Sequence, residues 1–487
     1  MSTEDQLHTA WQRVCNALQR EGLLSSPVPS GVVPRGLTTD SREVQSGWLF
    51  MAVPGTQQDG HGYVSEAVGR GAILAMVERP ATAEVSQVLV HDARRAASVA
   101  ARAWFDHPAE AMLLVGVTGT NGKTTTTGIT RHLLNRDADA GMIGTLGAVD
   151  GTGATVPSAA LTTPGPVDLH ATFRRMVDRG VTRVVMETSS HSLDQGRLDG
   201  LTFGAGVFTN LTRDHLDYHQ TMDAYLEAKL LLLGLLSSDA VLGVNSDDPA
   251  WEVIPRRPGT IRFGFSALAD LRAEELVVAA NGSRFRLSGR FGSAEVELPL
   301  AGEFNVSNAL AAAAVALGLG RPLAEVVERL AAAPQVPGRM ERLATSPCVI
   351  LRDYAHTSDA FQRVLATLRP LTPGRLMILF GCGGDRDRGK RPLMGRAAAE
   401  GADLVFLAPD NPRTEDPDRI IDDIVAGMGG AQYLRYDDRR RAIEAAIGMA
   451  QPGDTLLLAG KGHETYQIIG TVKHPFDERG IVQGLTG

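Results

Sequence analysis

Apolar and polar positions fall into short strand-length runs, each followed by a stretch of helical spacing, and this alternation divides the chain into three segments. The first, residues 1–108, opens with a helical pattern over Glu4–Arg20. A Pro/Ser/Gly-rich loop follows at Ser25–Gly36, then strand-like runs at Trp48–Val53 and Ala72–Val77. In the second, residues 109–337, the pattern predicts strands at Ala111–Val115, Thr182–Met186, Ala205–Phe208 and Ala240–Val244. It predicts helices at Gly128–Asn135 and Asp223–Leu236, hairpins across Leu271–Leu298 and an Ala-rich helix at Phe304–Gly320. Pro334–Gly338 reads as a linker. The third, residues 338–487, repeats strand then helix, with strands at Val349–Tyr354, Leu376–Phe380, Leu404–Ala408, Gln432–Arg435 and Thr455–Ala459. Such alternation predicts an α/β fold whose parallel sheet is covered by helices on both faces, with ligands at the C-terminal ends of the strands. The loops there are DYAH, GCGGDRDRGK, APDNPRTE and GKGHE.

Composition narrows the function classes. The 487 residues are 43% apolar and 21% charged, an ordinary globular balance with room for several cores. A net charge of −8 argues against a protein held to nucleic acid by phosphate attraction. Cys15, Cys348 and Cys382 are far apart and form no C-x-x-C pair, so neither a disulfide framework nor a zinc site is expected. Met1–Arg20 lacks the apolar core of a signal peptide, and the apolar run Leu230–Leu236 is too short to span a bilayer. A soluble, cytoplasmic monomer without nucleic-acid or membrane partners is expected.

The densest chemistry lies at Gly116–Thr127, GVTGTNGKTTTT, with a strand pattern before it and a helical pattern after. Glycines let backbone N–H groups converge on phosphate oxygens, and a helix N-terminus adds its dipole. Lys123 can reach the β/γ-phosphates of a nucleoside triphosphate, and the Thr124 hydroxyl can ligate Mg²⁺. The pattern is a variant of G-x-x-x-x-G-K-[ST], with Val117 at the first glycine position. Glu187 follows an apolar strand, where a carboxylate can serve the metal directly or through water. His215 lies in TRDHLDYH between Asp214 and Asp217. It reads as a loop histidine near the phosphates or as a structural one. Lys229 has Leu226, Leu230 and Leu233 at helical spacing. It reads as a surface lysine with a buried stem, or as a buried amine of altered pKa. Arg386 and the Asp410–Arg413 stretch offer guanidinium groups and a carboxylate, as an amino-acid zwitterion requires, though surface charge would look the same. The polar loops at Asp40–Arg42 and Thr56–Gly60 read by themselves as turns.

These motifs occur together and in order with METSSH, FTNLTRDHLDYH, EAKLLL, FNVSNALAA, PGRME, DYAH, GCGGDRDRGKRPLMG, DNPRTE and GKGHETYQ. Over nearly the whole chain the set resembles the Mur ligase family, and within it the members that add meso-2,6-diaminopimelate. The resemblance implies three domains: a mixed α/β domain binding the UDP end of a sugar nucleotide, a central P-loop ATPase and a C-terminal Rossmann-like domain. It implies that ATP converts the D-glutamate γ-carboxylate of UDP-N-acetylmuramoyl-L-alanyl-D-glutamate to an acyl phosphate, which the diamino acid's amine then attacks. Position by position, Gly119, Thr120, Asn121, Gly122, Lys123, Thr124 and Thr125 would hold ATP, with Asn308, Arg339, Asp353 and His356. Thr124, Glu187, His215 and a carbamylated Lys229 would form the Mg²⁺ neighbourhood, and Lys123, Glu187, His215 and Lys229 the catalytic set. Thr39, Ser41, Thr56, Gln57, Gln58, Leu161, Thr162, Thr163, Ser189, Gln195 and Arg197 would bind the UDP-sugar dipeptide. Arg386, Asp410, Asn411, Pro412, Arg413, Gly460 and Glu464 would bind diaminopimelate, whose second carboxylate would face Arg413 and Arg386. Arg352, in LRDYAH, stands where relatives usually carry an apolar residue. The alternatives are an L-lysine-adding or other Mur or folylpolyglutamate-type ligase on this scaffold, and a P-loop sensor that binds ATP without forming an amide.

Overall fold

The computed structural model describes residues 3–55, 58–159, 161–279 and 281–486. The chain divides into two compact units. One comprises Met1–Arg272, Gly289–Phe291 and Asn308–Val326. The other comprises Ala273–Ser288, Gly292–Ser307 and Val327–Gly487.

The first unit begins with the helix Thr3–Arg20 and a small parallel sheet of Leu37–Thr38, Leu49–Met51, Leu74–Val77 and Ser86–Leu89. Trp11, Val14 and Leu18 pack with Leu49, Met51, Leu74 and Met76 against the helix Ala93–Trp104. That helix starts where Asp92 accepts a hydrogen bond from the Arg95 N–H, and its alanines let the layers approach closely. The larger sheet carries the parallel order Thr260–Gly264, Leu236–Asn245, Phe203–Phe208, Leu113–Thr118, Arg183–Glu187 and Ala140–Gly144. Two short antiparallel strands, Gly147–Val149 and Thr155–Val156, extend it. Leu113–Thr118 connects to a strand on one side of it, while the chain later returns on the other, so its C-terminal end is the topological switch point where a crevice opens. Register brings the functional strand ends level: Val117 pairs with Glu187, and Thr118 with Phe208.

The second unit holds a sheet of six strands in the order Glu341–Ala344, Val349–Asp353, Thr455–Ala459, Leu376–Phe380, Leu404–Leu407 and Tyr433–Arg435. Only the first pairing is antiparallel. Leu376, Ile378 and Phe380 enter a core with Phe361, Leu365, Met394 and Ile421. Met377 and Leu379 enter another with Ala442, Ile443, Ile447 and Val482. Residues of one strand thus feed two cores, as a sheet covered by helices on both faces requires.

Several strands, among them Ala140–Gly144 and Thr260–Gly264, were not expected, the strand expected at Ala111–Val115 spans Leu113–Thr118, and three further differences bear on the site. The helix expected at Gly128–Asn135 spans Lys123–Leu134, because Gly122, at φ 81°, turns the loop directly into it and burial outweighs the poor helix propensity of four threonines. The strand expected from Ala240 starts at Leu236, which pairs with Phe203 across a register shift, and the preceding helix accordingly ends at Gly234. An antiparallel hairpin, Tyr466–Ile469 with Val472–Pro475, was not expected. Its turn glycine, Gly470 at φ 59°, was the available signal. Among the described residues no helix is long and apolar enough to cross a membrane.

Candidate active site

In the first unit the loop after Leu113–Thr118 is held by the end of the neighbouring strand. Thr209 Oγ1 donates to the Asn121 carbonyl at 2.7 Å, Asn210 Oδ1 accepts from the Asn121 N–H at 2.9 Å, and Thr120 Oγ1 donates to the Thr212 carbonyl at 3.1 Å. Two glycines are sterically required. A Cβ on Gly119, at φ 143°, would lie 1.9 Å from Thr209 Oγ1, and one on Gly122 would lie 2.3 Å from Asn308 Oδ1. Asn308 also accepts from Thr126 Oγ1 at 3.2 Å, so it braces the loop and the first turn of its helix. The Lys123 ammonium folds back on the loop, donating to the carbonyls of Gly119 at 2.9 Å and Thr120 at 2.8 Å.

Lys229, only 1% exposed, approaches the same loop from the helix Met222–Gly234. Its Nζ donates to the Gly119 carbonyl at 2.8 Å and lies 4.3 Å from the Tyr225 ring centre. Burial, then the nearby Lys123, pushes its pKa well below that of an ordinary lysine and favours the neutral amine. The reading of Lys229 as a surface lysine is therefore overturned. Glu187 is buried, with Oε1 accepting from the Thr145 N–H at 2.8 Å and Oε2 from the Thr145 hydroxyl at 3.2 Å. His215, at φ 53°, stands edge-to-face with His191, ring centres 4.8 Å apart, and His191 lies 5.4 Å from His219. Burial, then the neighbouring imidazoles, lowers His191 to about 4, and burial also lowers His215 and His219, so this cluster favours neutral rings. No group of three or more His, Cys, Asp or Glu side chains among the described residues could by itself hold a metal ion. Mg²⁺ does not need such a cage, since it keeps several waters and takes one or two protein oxygens plus phosphates. A buried carboxylate and a hydroxyl at the loop fit it.

The first unit also holds a cavity of about 790 Å³, lined in part by Thr39, Leu161, Gln195 and Arg197. Arg197 donates to the Thr163 carbonyl at 2.9 Å and to Gln195 Oε1 at 3.0 Å. Thr163 Oγ1 donates to the Glu187 carbonyl at 2.9 Å and lies 3.3 Å from Ser189 Oγ. Thr162 Oγ1 shares a 3.1 Å hydrogen bond with Thr145. One network thus runs from the cavity wall to the Glu187 strand end. Ser41 and Gln58 are not on that wall. Ser41 is buried at the start of a 3₁₀ turn capped by Asp40, and Gln58 accepts from the Tyr63 hydroxyl at 2.6 Å. Thr56 and Gln57 lie outside the described residues.

The second unit gathers the remaining residues in two groups. Asp353, buried, accepts from the Met340 N–H at 2.6 Å and the Ala355 N–H at 2.7 Å, and its pKa is raised, chiefly by burial. The Arg339 guanidinium lies 4.8 Å from the centre of the Tyr354 ring in the DYAH loop, and the His356 ring centre lies 4.9 Å from it. In the other group, a Cβ on Gly383 would lie 3.0 Å from Arg413 Nη1 and 3.6 Å from Arg386 Cγ, so both arginines flank one glycine. Arg413 sits at φ 51°. The unexpected hairpin fixes its backbone: its N–H donates to the Ile468 carbonyl at 3.0 Å, and its carbonyl accepts from the Gly470 N–H at 2.7 Å. Pro412 packs its carbonyl against Gly384, and Gly460, at φ 104°, faces Asp410.

Lys461 is the residue the motifs passed over. Fully buried, it lies 3.2 Å from Asp410 Oδ1 and 3.6 Å from Glu464 Oε2, and donates to Asn411 Oδ1 at 3.2 Å and the Tyr466 carbonyl at 2.7 Å. Its place in GKGHE beside Gly460 was the only signal. Glu415 is another such brace. Its pairing with Arg391 and its bond from the Asp385 N–H lower its pKa to about 2 and join the two Arg-bearing loops.

Comparison with known proteins identifies the family. The Mur ligase family catalytic domain matches residues 34–112, the Mur ligase middle domain 117–316, and the Mur ligase glutamate ligase domain 338–462. A UDP-N-acetylmuramoyl-L-alanyl-D-glutamate–2,6-diaminopimelate ligase of Geobacillus kaustophilus is 44% identical over 92% of this chain and 94% of its own. One from Chlorobaculum tepidum is 44% identical over 91% of each chain. A solved structure of an enzyme of that name superposes with a TM-score of 0.67 at 35% identity, covering 93% of this chain and 94% of that one. A MurF from Acinetobacter baumannii, 21% identical with a TM-score of 0.64 over 97% and 98% of the two chains, shares the fold. With a clasped phosphate loop, a buried lysine upon it and relatives of this identity along nearly its full length, the chain belongs to the Mur ligase family.

Proposed function

We propose that this chain is an ATP-dependent amide ligase that joins meso-2,6-diaminopimelate to the D-glutamate γ-carboxylate of UDP-N-acetylmuramoyl-L-alanyl-D-glutamate, as a cytoplasmic monomer making peptidoglycan precursors. The observation that carries this reading is the pairing of Arg386 and Arg413 around Gly383 with Asp410 and Glu464 around Lys461. Two guanidinium groups suit a substrate with a carboxylate that lysine lacks, and the acids suit its ammonium. The shared activity of the relatives supports the same substrate. In this reading residues 1–108 take the UDP-sugar, 109–337 the ATP and 338–487 the amino acid.

The reaction has two steps. A γ-carboxylate oxygen attacks the γ-phosphorus of ATP, the bond to ADP breaks, and an acyl phosphate forms. The amine of the diamino acid then attacks the acyl carbon, phosphate leaves, and the nitrogen loses a proton. The N–H groups of Gly119–Thr125 cradle the phosphates, and Lys123 leaves its loop carbonyls to meet the transferring charge. Asn308 keeps the loop in shape, and Arg339 in PGRME with Asp353 and His356 in DYAH are the further residues assigned to ATP. Thr124 and Glu187 would hold Mg²⁺, with His215 nearby, and the metal supplies neutralisation of the phosphate charge. The neutral amine of Lys229 is the form that adds CO₂, and the resulting carbamate would give that neighbourhood an anion. Thr39, Ser41, Thr56–Gln58, Leu161–Thr163, Ser189, Gln195 and Arg197 bind the acceptor; Asp410–Arg413, Arg386, Gly460 and Glu464 bind the diamino acid. The test is phosphate release measured with each substrate omitted in turn. Release is expected only with ATP, acceptor and meso-diaminopimelate together. Equal turnover with lysine would refute the two-arginine argument, and ATP binding without release would mark a sensor.

A further inference from the structure

Besides Arg197, the cavity wall carries three guanidinium groups that no motif singled out, Arg35, Arg94 and Arg175, of which Arg175 donates to the Pro157 carbonyl at 3.0 Å. Arg94, on the helix Ala93–Trp104, shares a wall-facing stripe with Ala97 and Ser98, one turn along. Ser98 Oγ donates to the Gly196 carbonyl at 3.1 Å, which seats that stripe against the loop bearing Gln195 and Arg197. Arg197 spends its hydrogen bonds on neutral oxygens, the Thr163 carbonyl and Gln195 Oε1. Arg94 makes no side-chain hydrogen bond or ion pair among the described residues, although its neighbours on the helix do: Arg95 and Arg102 both reach Glu21. Two of the three carboxylates on the wall are engaged elsewhere. Asp40 pairs with Arg42, Glu43 accepts from Thr38, and the carboxyl of Asp168 is pushed up by burial and then by Glu43. The Arg197 pKa is lowered, first by burial, with Tyr218 opposing and the Arg94 charge adding to the shift, which sets the two guanidinium groups within electrostatic reach of each other.

We propose that Arg94 and Arg197 together form the seat for an oxyanion of the acceptor substrate, with Arg94 a binding residue for it. Two cations on one wall repel each other, and an oxyanion held between them removes that repulsion. A carboxylate of the dipeptide and the nucleotide diphosphate share this chemistry. The assignment rests on the acceptor reading given above.

The test uses the full-length enzyme and its Arg94→Gln and Arg94→Lys variants, with acceptor affinity measured both as KM and by calorimetry without ATP or diamino acid. For Arg94→Gln the acceptor KM and Kd should rise ~10–100-fold, the loss of one charge-assisted hydrogen bond, while the KM values for ATP and diaminopimelate stay within about twofold. Arg94→Lys should recover part of the loss. Titration with free UDP, and with an acceptor whose D-glutamate α-carboxylate is a carboxamide, distinguishes the two sources. A variant penalty that persists with UDP assigns the diphosphate, and one that disappears with the carboxamide assigns the carboxylate. Unchanged acceptor affinity in Arg94→Gln, or an equal rise in all three KM values, overturns the assignment. Wild-type enzyme that binds no acceptor overturns the reading beneath it as well.

Discussion

Replacing Lys229 by methionine should abolish turnover and at the same time make the protein more stable. Methionine has a similar length and no charge to bury. The hydrogen bond lost, to the Gly119 carbonyl, is worth ~0.5–1.5 kcal/mol, and that carbonyl keeps its bond from Lys123 at 2.9 Å, so no acceptor is orphaned. Against this stands the cost of burying an amine, ~1–3 kcal/mol even when neutral and partnered on one side. The balance favours methionine by ~1–2 kcal/mol, a rise in Tm on the order of 2–8 °C. The pH dependence gives the sign. An unfolded lysine holds its proton up to ~10.4, whereas burial and Lys123 depress the folded value. The unfolded chain therefore binds more protons, and wild-type stability rises with pH. The penalty is complete below the folded pKa, shrinks as pH climbs above it and vanishes beyond ~10.4, so the advantage of the variant should narrow in that direction. The assay is a thermal melt of both proteins across pH in CO₂-depleted buffer, repeated with bicarbonate. Bicarbonate should raise the wild-type Tm alone, because only the lysine can bind it as a carbamate. A variant that melts below wild type at neutral pH without CO₂, or that still turns over, refutes the reasoning.

Three further outcomes follow from single contacts. Gly119→Ala places a Cβ 1.9 Å from Thr209 Oγ1 on a φ of 143°, and should cost ~2–4 kcal/mol and weaken ATP binding in calorimetry. Adding Thr209→Ala should recover the part due to the clash, and no recovery would mean that the backbone angle carries the whole effect. Arg413→Asn keeps a residue tolerant of the 51° φ but removes the guanidinium, so the diaminopimelate KM should rise ~10–100-fold with the ATP KM unmoved; a parallel rise in both would refute the specific role. Lys461→Met leaves two carboxylates without their buried partner and should lower stability in chemical denaturation by ~3–5 kcal/mol, with partial recovery on adding Asp410→Asn; an unchanged midpoint would refute the brace.

Sequence pattern alone located the sheets well where both faces are buried. Leu376–Phe380 and Thr455–Ala459 are continuous apolar runs, and the structure gives them those same limits. Pattern failed where tertiary contact outweighs propensity. Four consecutive threonines do not read as helix, yet Thr124–Thr127 are buried helical residues because Gly122 launches the helix and the sheet covers it. The hairpin after GKGHE is exposed and short, so its alternation was weak, though it fixes the Arg413 backbone.

The candidate site was legible in proportion to how far its chemistry depends on local sequence. A phosphate loop is one contiguous segment whose glycines and lysine must stand at fixed offsets, so Gly119, Gly122 and Lys123 could be found from spacing. Lys229 could not be, because a lysine among leucines at helical spacing reads the same whether its head reaches water or a carbonyl. Only the register between strands brings Gly119 to the helix that carries it. Lys461 and Arg94 were invisible for a related reason. Each matters through what it neutralises or leaves unneutralised, and charge balance belongs to a volume rather than to a stretch of chain. Asp410 and Glu464 are separated by more than fifty residues in sequence, yet one ammonium holds both. The strand ends that a doubly covered sheet aligns supply the coordinates for such sums, which is why the fold is needed to see them.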